Sequence, residues 1–149
     1  MQALSARLQV RILCIVCDVT NEKDVKHAID KTVMKFGTIH VALTSAGTNA
    51  LTPTLTVRGS LDVKMFDRLM NVNFYGGLYV AKYASIVMSK NQKINEKGEK
   101  GLILFVSSLS GEMATRGQFA YAASKGAING MLMPMARDLG RYGIRVAAV

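Results

Sequence analysis

The stretch 108–125, SLSGEMATRGQFAYAASK, has the most informative spacing in the chain. Tyr121 and Lys125 lie four residues apart in a run of small residues without a helix breaker, so a helix would place both side chains on one face. An ammonium group one turn away would favour ionisation of the phenol, and a phenol acidified in this way can give and take protons. A packed tyrosine followed by a solvated lysine is the ordinary alternative, because this spacing also arises by chance.

Ser108 follows the apolar run 102–106, which predicts a buried strand. Ser108 would then lie at the carboxyl end of that strand. Ligands of open α/β sheets bind at the carboxyl ends of the strands, so Ser108 is predicted to lie where a ligand would bind.

Strand-like and helix-like stretches alternate along the chain. β-Rich runs predict four strands, at 10–16, 39–43, 102–106 and 144–149, and apolar residues at helical spacing predict helices at 22–36, 61–89 and 119–139. Gly37 is expected to end the first helix, and Pro134 to kink the last. This order predicts an α/β fold with a Rossmann-like, doubly wound parallel sheet.

The composition restricts the class of protein without choosing a ligand. The 149 residues are half apolar, which suits one domain with a sizeable core, and no apolar run approaches the ~20 residues that span a bilayer. The 19 Lys and Arg residues against 10 Asp and Glu give a net charge of +9, with a dense basic patch at Lys90, Lys93, Lys97 and Lys100. Such a surface attracts anions, so nucleotide cofactors, CoA-type substrates, RNA and acidic lipid all stay open.

The cysteines and histidines do not indicate a metal site. Cys14 and Cys17 are expected to be buried thiols on opposite faces of the first strand, because their separation is odd. His27 and His40 have no acidic or cysteine partner at ligand spacing. The sequence therefore predicts no bound metal.

Asn73 is an unusual residue for its place in the pattern, since it lies with Phe66 and Leu69 on the apolar stripe of the helix predicted at 61–89. A buried amide without a partner costs about 1–3 kcal/mol, so Asn73 is expected to be hydrogen-bonded. Neighbouring backbone is one candidate partner, and a functional group is the other.

Four motifs occur in one order: Asp18-Val19, Asn71-Val72-Asn73, Ser108, and Tyr121-Ala-Ala-Ser-Lys125, which begins 13 positions after Ser108. Together they resemble the short-chain dehydrogenase/reductase family. The segment 130–146, GMLMPMARDLGRYGIRV, is similar to its 3-hydroxyacyl-CoA dehydrogenase type-2 branch, which also accepts hydroxysteroids. The resemblance implies an NAD(P)-dependent oxidoreductase that interconverts a secondary alcohol and a ketone, with a 3-hydroxyacyl-CoA or a steroid-like molecule as substrate.

The resemblance also implies roles for four catalytic residues. Tyr121 would be the acid/base that exchanges a proton with the substrate oxygen, and Lys125 would assist its ionisation and bond the nicotinamide ribose. Ser108 would orient the substrate oxygen. Asn73 would hold a water in a proton relay.

For the cofactor, the resemblance implies NAD, and NADP stays open. The residues expected to bind it are Asp18 and Val19 at the adenine, Ala46 and Gly47 along the cofactor, and Tyr121 and Lys125. Members of the family pair their long helices into dimers and tetramers, so a homo-oligomer is expected here, with Tyr75, Tyr79, Tyr83 and Gly76-Gly77 as candidate contacts. The branch implies a mitochondrial location, with a cytoplasmic one as the alternative.

One departure from the family pattern concerns the phosphate loop. No G-x-x-x-G-x-G occurs in the 149 residues, and pyrophosphate binding relies on backbone amides at a helix N-terminus. We therefore expect residues 1–149 to form a single partial NAD(P)-binding domain, truncated at both ends, without its first βαβ portion and its C-terminal segment. The alternative is a non-catalytic subunit, or an RNA- or partner-binding protein that uses its basic surface.

Overall fold

The computed structural model describes residues 10–57 and 59–149. Helices and strands alternate along the chain, as the sequence pattern predicts. Their bounds are α1 (Glu22–Phe36), β1 (Val41–Thr44), β2 (Leu55–Thr56), β3 (Gly59–Ser60), α2 (Val63–Met70), a π-helical turn (Asn71–Tyr75), α3 (Gly76–Met88), β4 (Gly101–Phe105), a 3₁₀ turn (Leu109–Gly111), α4 (Phe119–Gly140) and β5 (Ile144–Ala148).

The sheet that positions the site contains β1, β4 and β5 in that order, and both pairs of neighbours are parallel. The register places Thr44 beside Phe105, and Phe105 beside Ala148, so the carboxyl ends of the three strands lie at one edge. The predicted α/β class with a parallel sheet is confirmed. Three of the four predicted strands are correct to within about two residues, which is the usual uncertainty of strand bounds.

The core lies between one face of this sheet and the helices α3 and α4. Alternate residues of β4 point into it, which is the two-residue period of a strand. Its central members, all buried, are Ala42, Ala81, Ala84, Met88, Ile103, Phe105, Ile128 and Ile144. This packing holds α3 and α4 against the strands whose ends carry the candidate site.

Local sequence signals set the helix ends. The Asn21 side chain accepts a hydrogen bond from Lys23 N at 3.0 Å and caps α1, and Gly37 ends that helix at φ +89°. Asp62 caps α2 in the same way, through Met65 N at 3.2 Å. The helix predicted at 61–89 therefore begins two residues later than expected. The segment before it contains the small antiparallel hairpin β2–β3.

The strand predicted at 10–16 is wrong: this segment has no regular secondary structure. An isolated strand is not stable, because its backbone groups need a neighbouring strand, and β1 pairs only with β4 among the described residues. Val16 is fully exposed, and Cys14 is exposed while Cys17 is half-buried, so the expectation of two buried core thiols is also wrong.

The paired glycines at the start of α3 are buried inside this chain. A Cβ on Gly76 would lie 2.9 Å from Val19 Cβ, and one on Gly77 would lie 3.3 Å from the Phe105 ring. These two positions therefore let α3 approach other parts of the chain, and their backbone is not a surface for a partner.

Two further features bear on function. Among the described residues, no helix combines the length and the apolar character needed to cross a bilayer. Within residues 10–57 and 59–149, no group of three or more His, Cys, Asp or Glu side chains could hold a metal ion.

Candidate active site

The carboxyl ends of β1 and β4 meet the first turns of α4 at a cavity of about 270 Å³. Tyr121 and Lys125, two of the predicted catalytic residues, line this cavity, and so does Gly47, a predicted cofactor residue. The remaining lining residues are Ser45, Thr48, Asn49, Val106 and Ser107. The structure therefore brings the predicted helical pair to the edge of the sheet where ligands of α/β proteins bind.

Lys125 is a buried lysine with a defined partner. The residue is 5% exposed, its Nζ donates a hydrogen bond to Val106 O at 2.7 Å, and Nζ lies 5.7 Å from the centre of the Tyr121 ring. Burial lowers the pKa of Lys125, because a low-dielectric environment disfavours the charged form. An ammonium has three N–H donors, so one bond to Val106 leaves donors for a ligand.

Asn73 is 3% exposed and lies in the π-helical turn between α2 and α3. Its Oδ1 accepts from Thr48 N at 2.7 Å, and its Nδ2 donates to Thr48 O and to Ser124 Oγ, both at 2.9 Å. The expectation that Asn73 is hydrogen-bonded is correct, but its partners are distant in sequence. The amide joins the loop after β1 to α4. Single π-helical turns inside helices are frequent at functional sites.

Ser124 extends this network to the candidate acid/base. Its hydroxyl donates to Tyr121 O at 2.7 Å while accepting from Asn73 Nδ2. Sequence reasoning missed Ser124 and Thr48 as site residues. For Ser124 a signal existed, since a serine three residues after Tyr121 on a helix can return its hydroxyl to that carbonyl. For the Thr48 backbone no side-chain signal exists.

Gly47 lies between the two buried polar side chains of the site. A Cβ at this position would be 3.5 Å from Asn73 Oδ1 and 4.0 Å from Lys125 Nζ. Gly47, Asn73 and Lys125 are therefore neighbours. The absent side chain at Gly47 keeps the cavity open in front of the ammonium.

Ser108 is not among the residues that line this cavity; Ser107 is. The Ser108 Oγ accepts from Ser110 N at 3.1 Å and caps the 3₁₀ turn. The Ser107 Oγ donates to Asn129 Oδ1 at 2.6 Å. Side chains of adjacent residues in an extended segment point in opposite directions, which explains why only one of the two serines reaches the cavity.

The predicted adenine residues lie at a different place. Asp18 lines a second cavity of about 570 Å³, together with Thr20, Lys64, Asp67, Arg68, Asn71 and Val72. Hydrogen bonds from Thr20 N and Thr20 Oγ1 lower the pKa of Asp18, because they stabilise the carboxylate. Val19 packs on Gly76, and Ala46 is exposed. The π-helical turn contributes to both places, since Asn71 and Val72 line the second cavity and Asn73 supports the first.

A family model described as short chain dehydrogenase matches residues 1–149. The chain belongs to this family. The match covers the whole chain, and it includes every residue of the candidate site.

Individual relatives agree with this assignment. The 3-hydroxyacyl-CoA dehydrogenase type-2 of Drosophila melanogaster is 33% identical over 141 residues, which is 93% of this chain and 55% of that protein. The crystal structure of 3-hydroxyacyl-CoA dehydrogenase type-2 from Mycobacterium avium is 28% identical with a TM-score of 0.87, over 99% of this chain and 58% of that one. A crystal structure of NAD⁺-bound xylitol dehydrogenase is 30% identical with a TM-score of 0.82, over 98% and 52%. The short-chain dehydrogenase spans about half the length of the relatives it matches.

Proposed function

We propose that this short-chain dehydrogenase is an NAD(P)-dependent oxidoreductase that interconverts a secondary alcohol and a ketone, with Tyr121 as the acid/base. The observation that carries the proposal is the buried Lys125 ammonium, which lies 5.7 Å from the centre of the Tyr121 ring and lines the same cavity of about 270 Å³. A cation in a water-poor site stabilises a neighbouring phenolate more strongly than it would in water.

In the proposed reduction, the Tyr121 hydroxyl gives its proton to the carbonyl oxygen of the substrate as the carbon becomes an alcohol carbon. A bound nicotinamide would supply the hydride. Lys125 stabilises the phenolate that remains, and oxidation of an alcohol runs the same steps in reverse. Asn73, through Thr48 and Ser124, keeps the loop after β1 and the first turn of α4 in place, and we also propose that it holds a water in the proton relay.

Although Ser108 does not line the cavity of about 270 Å³, the resemblance supports a role in which it donates a hydrogen bond to a substrate oxygen bound beside the 3₁₀ turn that it caps. Its Oγ already accepts a bond from Ser110 N. A hydroxyl has one donor besides its acceptor sites, so the proton of Ser108 stays available for a substrate. Ser107, by contrast, already donates its hydroxyl proton to Asn129 Oδ1.

The described residues fit one end of a nicotinamide cofactor. Lys125 would bond the ribose, Gly47 leaves room beside it, and Tyr121 lines the same cavity. Ala46, Asp18 and Val19 are proposed to continue the contact towards the adenine. The sequence holds no glycine-rich phosphate loop, so residues 1–149 supply no holder of that kind for the pyrophosphate. NAD is proposed from the resemblance, and NADP is the alternative that a titration with both would decide.

The proposed substrate is a 3-hydroxyacyl-CoA or its ketone, with a steroid-like alcohol as the second candidate. Two relatives described as 3-hydroxyacyl-CoA dehydrogenase type-2 support it, and a net charge of +9 would favour an anionic CoA ester. A mitochondrial location is proposed only from the resemblance to this branch, with a cytoplasmic one as the alternative.

The deciding experiment follows NADH oxidation in the presence of acetoacetyl-CoA. Tyr121→Phe should lower kcat by about 10²–10⁴-fold, because it removes the proton donor. Tyr142→Phe, an exposed tyrosine beyond α4, is the matched control and should leave kcat unchanged. Undiminished turnover in Tyr121→Phe would refute the mechanism. No turnover by an unaltered protein that binds NADH would refute the substrate class, and salt-sensitive RNA retention without NADH binding would favour the RNA-binding alternative.

We also propose that the protein forms a homodimer or tetramer through α3 and α4. Tyr75 and Met133, one adjoining α3 and one on α4, are both exposed, and a cleft of about 320 Å³ lies between the two helices. Tyr83 is a weaker candidate contact, because its hydroxyl already donates to Glu22 of the same chain. Light scattering tests this proposal, and a monomer at micromolar concentration would contradict it.

A further inference from the structure

Two side chains of α4, one helical turn apart, bind adjacent residues at the end of β4. Lys125 Nζ donates to Val106 O at 2.7 Å, and Asn129 Oδ1 accepts from Ser107 Oγ at 2.6 Å. Residues four apart share a helix face, so the two bonds run side by side between the helix and the strand end.

A third element packs against the same part of α4. A Cβ on Gly111, in the 3₁₀ turn, would lie 2.9 Å from the Lys125 backbone carbon and 3.0 Å from Asn129 Nδ2. The turn that Ser108 caps therefore rests directly on the helix beside both side chains. Asn129 lies between the strand end on one side and this turn on the other.

The two bonds differ in chemistry. The Lys125 bond uses a charged donor that the proposed mechanism needs elsewhere, whereas the Ser107–Asn129 bond joins two neutral groups that do not titrate. The backbone bonds at this point, from Val106 N to Thr44 O and from Ser107 N to Val149 O, join neighbouring strand ends and do not reach α4.

We propose that Asn129 is a positioning residue of the candidate catalytic set: by accepting the Ser107 hydroxyl, it keeps the end of β4 fixed on α4 while the Lys125 ammonium serves a ligand. This inference rests on the proposed function. Without Asn129, the Lys125–Val106 bond would be the one side-chain bond left, among the described residues, between α4 and this strand end, so a shift of the ammonium towards a ligand would move the strand end with it. Tyr121, Lys125 and Ser108 would then lose their relative placement.

The first test needs no enzymatic activity. Reductive methylation by formaldehyde and a borane, read by mass spectrometry, measures how accessible the Lys125 amine is. Asn129→Leu and Ser107→Ala remove the same bond from its two ends and should each speed methylation of Lys125 about fivefold or more, because the site opens locally more often. An unchanged rate in both variants overturns the inference.

Two further variants complete this first test. Ser107→Thr keeps a hydroxyl and should methylate at the rate of the unaltered protein. Gly130→Ala is the control on the same helix, since a Cβ there meets nothing within 4 Å, and it should also leave the rate unchanged. Ser107→Ala removes a single oxygen from a half-buried side chain, so this variant decides the outcome if Asn129→Leu does not fold.

The second test uses turnover of acetoacetyl-CoA with NADH. Asn129→Leu should lower kcat about tenfold with KM changed less than about twofold, since the reacting groups are misplaced while the binding surface remains. Gly130→Ala, outside the cavity on the same helix, should retain normal kcat. A normal kcat in an Asn129→Leu protein whose Lys125 has become accessible overturns the positioning role. If the unaltered protein shows no turnover, either because it does not bind NADH or because the substrate class is wrong, the methylation rates alone decide the inference.

Discussion

Two asparagines lie at opposite ends of α3, Asn73 just before the helix and Asn91 just after it. Each amide makes three hydrogen bonds. Asn73 joins the loop after β1 to α4, and Asn91 joins the segments that lead into β1 and β4, through Ile39 O at 2.8 Å, Lys100 O at 3.0 Å and the Thr38 hydroxyl. The two amides are therefore equivalent in the number of hydrogen bonds by which they join separate segments of the chain.

What distinguishes them is the chemistry beside each. Asn73 is a neighbour of the buried Lys125 amine, because a Cβ on Gly47 would lie 3.5 Å from Asn73 Oδ1 and 4.0 Å from Lys125 Nζ. Asn91 borders a larger cleft, about 630 Å³ against about 270 Å³, but the lysines that line it, Lys90 and Lys93, are exposed. A satisfied amide stabilises a fold wherever it lies. A reactive site is indicated by a desolvated titratable group beside the amide, and the size of the neighbouring cavity does not indicate one.

The largest difference is expected from replacing the two asparagines by leucine. Both Asn73→Leu and Asn91→Leu leave backbone groups without partners, so each should lower the free energy of unfolding by about 2–3 kcal/mol. Only Asn73→Leu should also lower kcat, by about 100-fold, because it releases the loop that lines the candidate active site. Urea unfolding and acetoacetyl-CoA turnover measure the two effects. An equal fall of kcat in both variants would show that the two ends do not differ in function.

A second pair of variants compares Gly101, next to the Lys100 carbonyl that Asn91 binds, with Gly47, next to Asn73. At Gly101 a methyl group would lie 2.6 Å from Met88 Sδ and 3.2 Å from His40 O, so Gly101→Ala should cost about 1–3 kcal/mol of stability through overpacking. At Gly47 the nearest atom would be 3.5 Å away, an ordinary contact, so Gly47→Ala should fold normally. Its methyl group would instead narrow the proposed cofactor site.

The measurement for the second pair is NADH binding by fluorescence titration together with urea unfolding. Gly47→Ala should weaken NADH binding about tenfold, which corresponds to about 1.4 kcal/mol. Gly101→Ala should bind NADH normally wherever it is folded. Unchanged NADH affinity in Gly47→Ala would remove Gly47 from the proposed cofactor site.

The comparison also explains which parts of the site could be predicted from the sequence. Tyr121 and Lys125 share one helix, and a fixed helical period makes their proximity a local property. Asn73 could be recognised as a residue that needs a partner. Its partners could not be named, because Thr48 and Ser124 lie 25 and 51 positions away and only the packed fold brings them to it.

Two expectations failed or stayed open for a similar reason. The β-rich composition of 10–16 predicts a strand, but a strand exists only where another strand offers its backbone groups. Whether Ser107 or Ser108 faces the cavity depends on where the pleat of β4 gives way to the 3₁₀ turn, a distinction of one residue. Sequence patterns locate such boundaries only to within a few residues.

A smaller effect is expected at two serines that make the same helical bond. Ser124 Oγ donates to Tyr121 O at 2.7 Å, and Ser89 Oγ donates to Ile86 O at 3.0 Å. Ser124→Ala leaves Asn73 Nδ2 one partner short and should cost about 1 kcal/mol and lower kcat several-fold. Ser89→Ala, near the Asn91 end, should change stability by less than about 0.5 kcal/mol and leave kcat unaltered. A loss of stability in Ser124→Ala with normal kcat would make this bond purely structural.

The smallest effect is expected from replacing Glu22, which joins α1 to α3 between the positions of the two asparagines. Its Oε1 accepts from Lys82 Nζ at 2.7 Å and from Tyr83 OH at 2.8 Å, and these bonds, the one from Lys82 first, lower the pKa of Glu22. A carboxylate whose pKa is lower in the folded protein adds stability above its ordinary pKa, and that stability is lost as the pH falls through the folded value. Glu22→Gln should therefore lower the Tm slightly at pH 7, and the difference from the unaltered protein should shrink as the pH falls below 4.5, the ordinary pKa. The amides of Asn73 and Asn91 do not titrate, so the Tm losses of their leucine variants should stay constant over the same pH range. A Tm difference for Glu22→Gln that persists unchanged at pH 3 would show that the carboxylate is not what joins the two helices.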